Sequence, residues 1–71
     1  MDTMEWLISN LPLIDKDTYF IMTCNTFFSF EEKIRLDVEY AKLLQPSRKR
    51  PVGEIYFDLR KERNKIEDWL Y

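Results

Sequence analysis

Residues 29–45 read SFEEKIRLDVEYAKLLQ, and this stretch carries the clearest local structural signal in the chain. Ser29 has a side-chain oxygen suited to capping a helix, and Glu32, three positions later, completes a capping box. Apolar residues then recur at helical spacing along one predicted face, at Phe30, Ile34, Val38, Ala41 and Leu44. Because the residue before a proline avoids helical geometry, the pattern predicts a helix over 30–45 that ends before Pro46.

A basic loop is predicted directly after this helix, over residues 46–53. It contains two of the three prolines and the only glycine, and its cations are Arg48, Lys49 and Arg50. Prolines stiffen a loop and reduce the entropy that it loses on binding. The loop is therefore a candidate contact for phosphate groups or for an acidic protein surface, although a solvated linker explains the same composition.

A long final helix is predicted over residues 54–70. Its apolar stripe consists of Ile55, Leu59, Ile66, Trp69 and Leu70, and Glu62 interrupts that stripe. The first third, 54–59, also alternates apolar and polar residues in the manner of a strand. No helix breaker separates 54–59 from the charged stretch that follows it, so one continuous helix is the simpler interpretation.

Two shorter helices are predicted in the first third of the chain. The first spans about residues 3–11, with Asp2 as its N-cap and Pro12 at its end. The second spans about residues 16–27. Its segment 19–23 is rich in residues that strands favour, so its assignment stays open between helix and strand.

These elements predict one all-α domain over residues 1–71, built from three to four helices. The second and third helices would form a central helical hairpin, covered by the short first helix, and the long C-terminal helix would pack across it. The alternative is an α+β fold in which 19–23 and 54–59 pair as two strands.

The composition excludes several classes of chemistry. A chain of 71 residues with one glycine has no glycine-rich phosphate loop or dinucleotide fingerprint. It has no histidine, which removes Ser-His-Asp and Cys-His catalysis, and the lone Cys24 allows neither an internal disulfide nor a typical zinc site. We therefore expect no enzymatic activity, no cofactor and no metal.

The longest uncharged run is residues 18–30, which is 13 residues. A membrane-spanning helix needs about 20 apolar residues. Asp2 and Glu5 occupy the place where a secretory signal would be basic. We expect a soluble, cytoplasmic protein that does not contact membranes.

Aromatic residues make up 15% of the chain, which exceeds what the predicted core faces need. The candidates for a protein-binding surface all lie on the last helix: Tyr56, Phe57, Trp69 and Tyr71. Tryptophan and tyrosine are frequent anchors of protein–protein contacts. The leading hypothesis is a small non-enzymatic regulator, an inhibitor or adaptor, that binds another protein through this aromatic surface.

Two alternative functions remain open from the sequence. One is a nucleic-acid-binding accessory protein that uses Arg48, Lys49 and Arg50, although the net charge of −2 weighs against it. The other is a structural module in which the aromatic surplus forms a homodimer interface.

Overall fold

The computed structural model describes residues 2–70, which form four α-helices and one short 3₁₀ turn. The α-helices are α1 (Thr3–Asn10), α2 (Lys16–Thr23), α3 (Phe30–Arg48) and α4 (Val52–Leu70), and the 3₁₀ turn is Leu11–Leu13. No strand occurs within residues 2–70. The predicted all-α fold is confirmed, and the alternative pairing of 19–23 with 54–59 does not form because both segments are helical.

The first three helices each begin directly after a residue whose side chain caps the first turn. Asp2 and Asp15 each accept a hydrogen bond from the backbone N–H three residues later, at 2.8 and 2.7 Å. At the start of α3 the backbone N–H of Glu32 donates to Ser29 Oγ at 3.2 Å, and the N–H of Ser29 donates to Glu32 Oε1 at 2.8 Å. The capping box therefore satisfies donors that the first helical turn leaves free.

Helix α2 ends earlier than the predicted helix 16–27. Its last residue is Thr23, because the side chain of Asn25 competes for the backbone groups that follow. The Asn25 amide donates to the carbonyl of Met22 at 2.7 Å, and its oxygen accepts from the N–H of Phe27 at 2.9 Å.

The prediction of a loop over 46–53 is wrong at both ends. Helix α3 continues to Arg48 with Pro46 inside it, and α4 already begins at Val52. Pro46 lies in the last turn, where a proline costs one backbone hydrogen bond at an exposed position and does not end the helix. Lys49, the C-cap that follows Arg48, adopts a left-handed conformation with φ of 53° and terminates the helix.

Helices α3 and α4 run antiparallel and make the most extensive helix contact, and α1 with the 3₁₀ turn packs against α3. The hairpin therefore joins the third and fourth helices, and not the second and third. All four helices, the 3₁₀ turn and the loop after α2 contribute to one core: Met4, Leu7, Leu11, Tyr19, Phe20, Cys24, Phe28, Leu36, Tyr40, Ala41, Ile55 and Leu59.

The buried face of α3 is rotated from the predicted one. Leu36 and Tyr40 point into the core, whereas Phe30 is exposed and Val38 is only partly buried. Tyr40 faces inward because its hydroxyl donates to the carbonyl of Ile14 at 2.8 Å. This rotation brings two charged side chains of α3, described below, to the interior of the domain.

Candidate functional site

The predicted aromatic surface on α4 is divided in the structure. Tyr56 packs partly against the core, and its ring lies edge-on to that of Phe57, with 6.2 Å between the centroids. Phe57 is 64% exposed and Trp69 is 90% exposed. Tyr71 lies outside the described residues.

Phe57 and Trp69 do not belong to one surface. They are twelve residues apart on a helix, which corresponds to a separation of about 18 Å along the axis and about 120° around it. The predicted apolar stripe of α4 is also wrong at its end. Trp69 and Leu70 are exposed, because the last turn of α4 borders an open groove.

That groove lies between α2 and the C-terminal half of α4, and we call it the α2/α4 groove. Its volume is about 410 Å³, and its lining is Asp17, Phe20, Ile21, Cys24, Glu62, Ile66 and Leu70. Ile21 is 78% exposed and Leu70 is 58% exposed, so both apolar side chains are accessible at its edges. An exposed concave apolar surface of this kind is typical of a binding site.

Two carboxylates border the α2/α4 groove. Glu62 Oε2 lies 3.3 Å from the ammonium group of Lys16, whereas Asp17 is exposed and forms no ion pair within residues 2–70. Trp69 is seven residues after Glu62, almost two full turns, and so projects from the same side of α4. The groove therefore combines an apolar lining, an acidic rim and an exposed indole.

Cys24 lies at the inner wall of the groove and is almost fully buried. Its Sγ accepts a hydrogen bond from Arg63 Nη1 at 3.6 Å. Burial raises the pKa of the Cys24 thiol and outweighs the opposing effect of the Arg63 charge. The thiol therefore stays protonated at neutral pH and is a poor nucleophile.

Behind the groove lies a buried polar cluster, which we call the Arg63 cluster. Arg63 is 0% exposed and makes a bidentate ion pair with Asp37, with Nη2–Oδ1 at 2.7 Å and Nε–Oδ2 at 3.0 Å. Arg63 Nη2 also donates to the Tyr19 hydroxyl at 3.1 Å, and that hydroxyl donates to Asp37 Oδ1. Arg60 reaches the same carboxylate at 3.1 Å.

The Arg63 cluster is satisfied internally. No buried side-chain nitrogen or oxygen within residues 2–70 lacks a hydrogen-bond partner. Burial raises the pKa of the Tyr19 phenol, and the negative charge of Asp37 adds to the increase. Burial has the largest single effect on Arg63 and lowers its pKa, but the hydrogen bonds to Asp37 and the negative charge of that carboxylate together raise the pKa overall. Because these side chains pair with one another, the cluster links α2, α3 and α4 in the interior of the domain.

Sequence analysis did not predict the Arg63 cluster, because it treated the residues after 54–59 only as a charged stretch of the last helix. A usable signal was present, since Ile55, Leu59 and position 63 follow one another at intervals of four residues. Arg63 thus continues the apolar stripe more directly than Glu62, whose carboxylate instead pairs with Lys16.

The three predicted basic residues do not form a common binding surface. Arg50 Nη1 lies 2.6 Å from Asp58 Oδ2, and Arg50 Nε lies 3.3 Å from Glu54 Oε2. These hydrogen bonds raise the pKa of Arg50 and lower that of Asp58. Arg48 and Lys49 are exposed and make no ion pair within residues 2–70, which leaves two cations for an external partner.

A smaller apolar cleft of about 260 Å³ lies between α1 and the segment after α2. Its exposed edges are Trp6 and Phe27, and Met22 lines its wall. It lies apart from the α2/α4 groove, with which it shares no lining residue.

Within residues 2–70, no helix combines the length and the apolar character required to cross a membrane. No protein-family model, no curated protein and no solved structure matches this chain.

Proposed function

We propose that this chain is a small non-enzymatic regulator of the cytoplasm, an inhibitor or adaptor that binds another protein. The contact surface is the α2/α4 groove together with Trp69 at the exposed end of α4. The observation that carries the proposal is the accessibility of Ile21, Trp69 and Leu70 around a concave apolar surface. Large exposed apolar patches on small proteins usually mark binding sites, and tryptophan is a frequent anchor.

The mode of action is occlusion of a surface on the partner. The proposal needs no reactive group, which agrees with the protonated state of Cys24 and the internal pairing of the Arg63 cluster. Phe57 lies on a separate face of α4, so it is not part of this contact surface.

The test is capture of partners from host lysate by the tagged full chain, with nuclease and about 0.3 M salt to suppress charge-driven contacts. We expect one protein to be retained in near-equal amount. Trp69→Ala should weaken that complex by about 2 kcal/mol, or roughly thirtyfold in Kd. Phe57→Ala is the matched control, since it removes another exposed aromatic ring and should leave capture unchanged.

Because Trp69 is exposed, Trp69→Ala should leave the urea midpoint of unfolding unchanged, and this measurement separates lost binding from lost folding. Capture that is equally strong with Trp69→Ala would contradict the proposal. Capture that occurs only without nuclease and at low salt would also contradict the proposal, because it would indicate binding of nucleic acid through Arg48 and Lys49.

A further inference from the structure

We propose that the occupant of the α2/α4 groove is an amphipathic helix of the partner protein. Its apolar face fills the groove, and a lysine or arginine beside that face pairs with Asp17. This inference rests on the proposed function and specifies which segment of the partner makes the contact.

The walls of the groove favour a helix over an extended segment. Both walls are helices, so their backbone N–H and C=O groups are already paired along α2 and α4. An extended segment would place its own backbone groups against apolar side chains without partners, which is costly. A helix satisfies its backbone internally and presents only side chains, as in other helix-in-groove complexes.

The apolar side chains of the groove match one face of such a helix. Phe20 and Ile66 are buried or partly buried between the two walls, while Ile21 and Leu70 stand exposed at the edges. Side chains spaced at i, i+3, i+4 and i+7 on the partner can enter between these edges. Trp69 projects beside the groove and can cover the end of the bound helix.

The charges of the groove lining favour a partner helix with particular charged residues beside its apolar face. Both charged residues of the groove, Asp17 and Glu62, are acidic. Glu62 is already paired with Lys16, whereas Asp17 is exposed and unpaired within residues 2–70. A cation on the partner can therefore reach Asp17 without displacing an existing ion pair, and a carboxylate in its place would be repelled.

The experiment measures fluorescence anisotropy of a labelled synthetic helix mixed with the full chain. The probe peptide carries leucine at i, i+3, i+4 and i+7 and lysine elsewhere. One control peptide has the same composition in scrambled order, and another has glutamate in place of lysine. At about 0.15 M salt we expect the leucine–lysine helix to bind at least about tenfold more tightly than either control.

Substitutions on the chain locate the contact. Ile21→Ser should weaken binding about tenfold, the effect of losing an interface contact that contributes more than about 1 kcal/mol. Asp17→Asn should weaken it about two- to fivefold, the range of an exposed ion pair. Phe57→Ser is the control and should have no effect. All three positions are exposed, so the variants should fold, and circular dichroism checks that they do.

Equal binding of the scrambled peptide, or an unchanged affinity in Ile21→Ser, would overturn the helical occupant. Equal binding of the glutamate peptide would overturn the pairing with Asp17. Light scattering that shows a dimer, converted to monomer by Ile21→Ser, would assign the groove to a second copy of the chain and also overturn the inference.

The two proposals fail in different ways. If capture from lysate depends on Trp69 but the synthetic helix does not bind the groove, the inference is contradicted and the proposed function is supported. If capture does not depend on Trp69, the proposed function is contradicted, whether or not the synthetic peptides bind.

Discussion

Folding places the Tyr19 phenol in a site that strongly shifts its pKa. Its ring is fully buried against Tyr40, with 4.4 Å between the centroids, and its hydroxyl lies between the Asp37 carboxylate and the Arg63 guanidinium. Ionisation of the phenol there would place a second negative charge beside Asp37 in a desolvated site. The pKa of Tyr19 is therefore raised above its ordinary value of 10.0, first by burial and then by Asp37.

Tyr19→Phe should reveal this coupling in the pH dependence of stability. At neutral pH the substitution should cost about 1.5–3 kcal/mol, because it removes a hydrogen bond to a charged group. Between pH 10 and the raised pKa, the folded chain keeps the Tyr19 proton and the unfolded chain loses it. The free energy of unfolding of the unsubstituted chain therefore falls as pH rises above about 10.

Urea unfolding at pH 7, 9, 10 and 11 measures both effects. The variant lacks the Tyr19 contribution, so its stability should decline less steeply above pH 10 and the difference between the two chains should shrink. Cys24 and Tyr40, whose pKa values are also raised by burial, contribute equally to both chains. If the free energies of unfolding of the two chains declined in parallel up to pH 11, Tyr19 would not be the group whose ionisation is coupled to unfolding.

The helices illustrate how strongly local hydrogen bonds set their beginnings and ends. Caps from Asp2, Asp15 and Ser29 place the first residues of α1, α2 and α3. The amide of Asn25 ends α2, and the left-handed conformation of Lys49 ends α3. These contacts join residues no more than four positions apart, so their partners can be identified from local sequence.

Ser29→Ala tests the contribution of the capping box to α3. Loss of the side-chain acceptor leaves the backbone N–H of Glu32 without a helix-capping partner, so the free energy of unfolding should fall by about 1 kcal/mol. Thr26→Ala is the matched control, because Thr26 lies exposed in the same connecting segment and should change stability by less than about 0.5 kcal/mol. Equal losses in both variants, measured by urea unfolding, would show that the cap contributes nothing specific.

At the scale of the whole molecule, one polar cluster joins three helices. Tyr19 comes from α2, Asp37 from α3 and Arg63 from α4, and their side chains meet in the interior. A second, partly buried pair, Lys33 with Glu67 at 2.5 Å, joins α3 to α4 one turn farther along. These contacts therefore link α2, α3 and α4 in a domain that, at this size, buries only a modest fraction of its surface.

The Arg63 cluster should behave as a unit in a double-mutant cycle. Arg63→Met removes the guanidinium and leaves Asp37 buried with only Arg60 and Tyr19, which should cost about 3 kcal/mol or more. Arg63→Met with Asp37→Leu removes both charges and should be less destabilised than the single variant. Urea unfolding followed by circular dichroism measures the four chains. Additive losses would contradict the assignment of the cluster as a coupled unit.

The exposed basic residues and the exposed indole of Trp69 lie far apart on the molecule. The basic residues Arg48 and Lys49 precede α4, whereas Trp69 lies at its end, and a helix of 19 residues places these ends about 28 Å apart. Arg48 and Lys49 therefore lie outside the α2/α4 groove.

Local sequence was sufficient to establish the helical class and three helix starts, because a cap or a run of periodic apolar residues acts within one or two turns. It was also sufficient to exclude histidine-based catalysis and glycine-rich phosphate binding, since those residues are absent. Four features required the folded chain: the continuation of α3 past Pro46, the rotation of its buried face, the burial of Arg63, and the exposure of Trp69 beside a groove. Burial depends on contacts between residues 26 to 44 positions apart, as in Arg63 with Asp37 and with Tyr19, and no local pattern encodes which distant face a helix will meet.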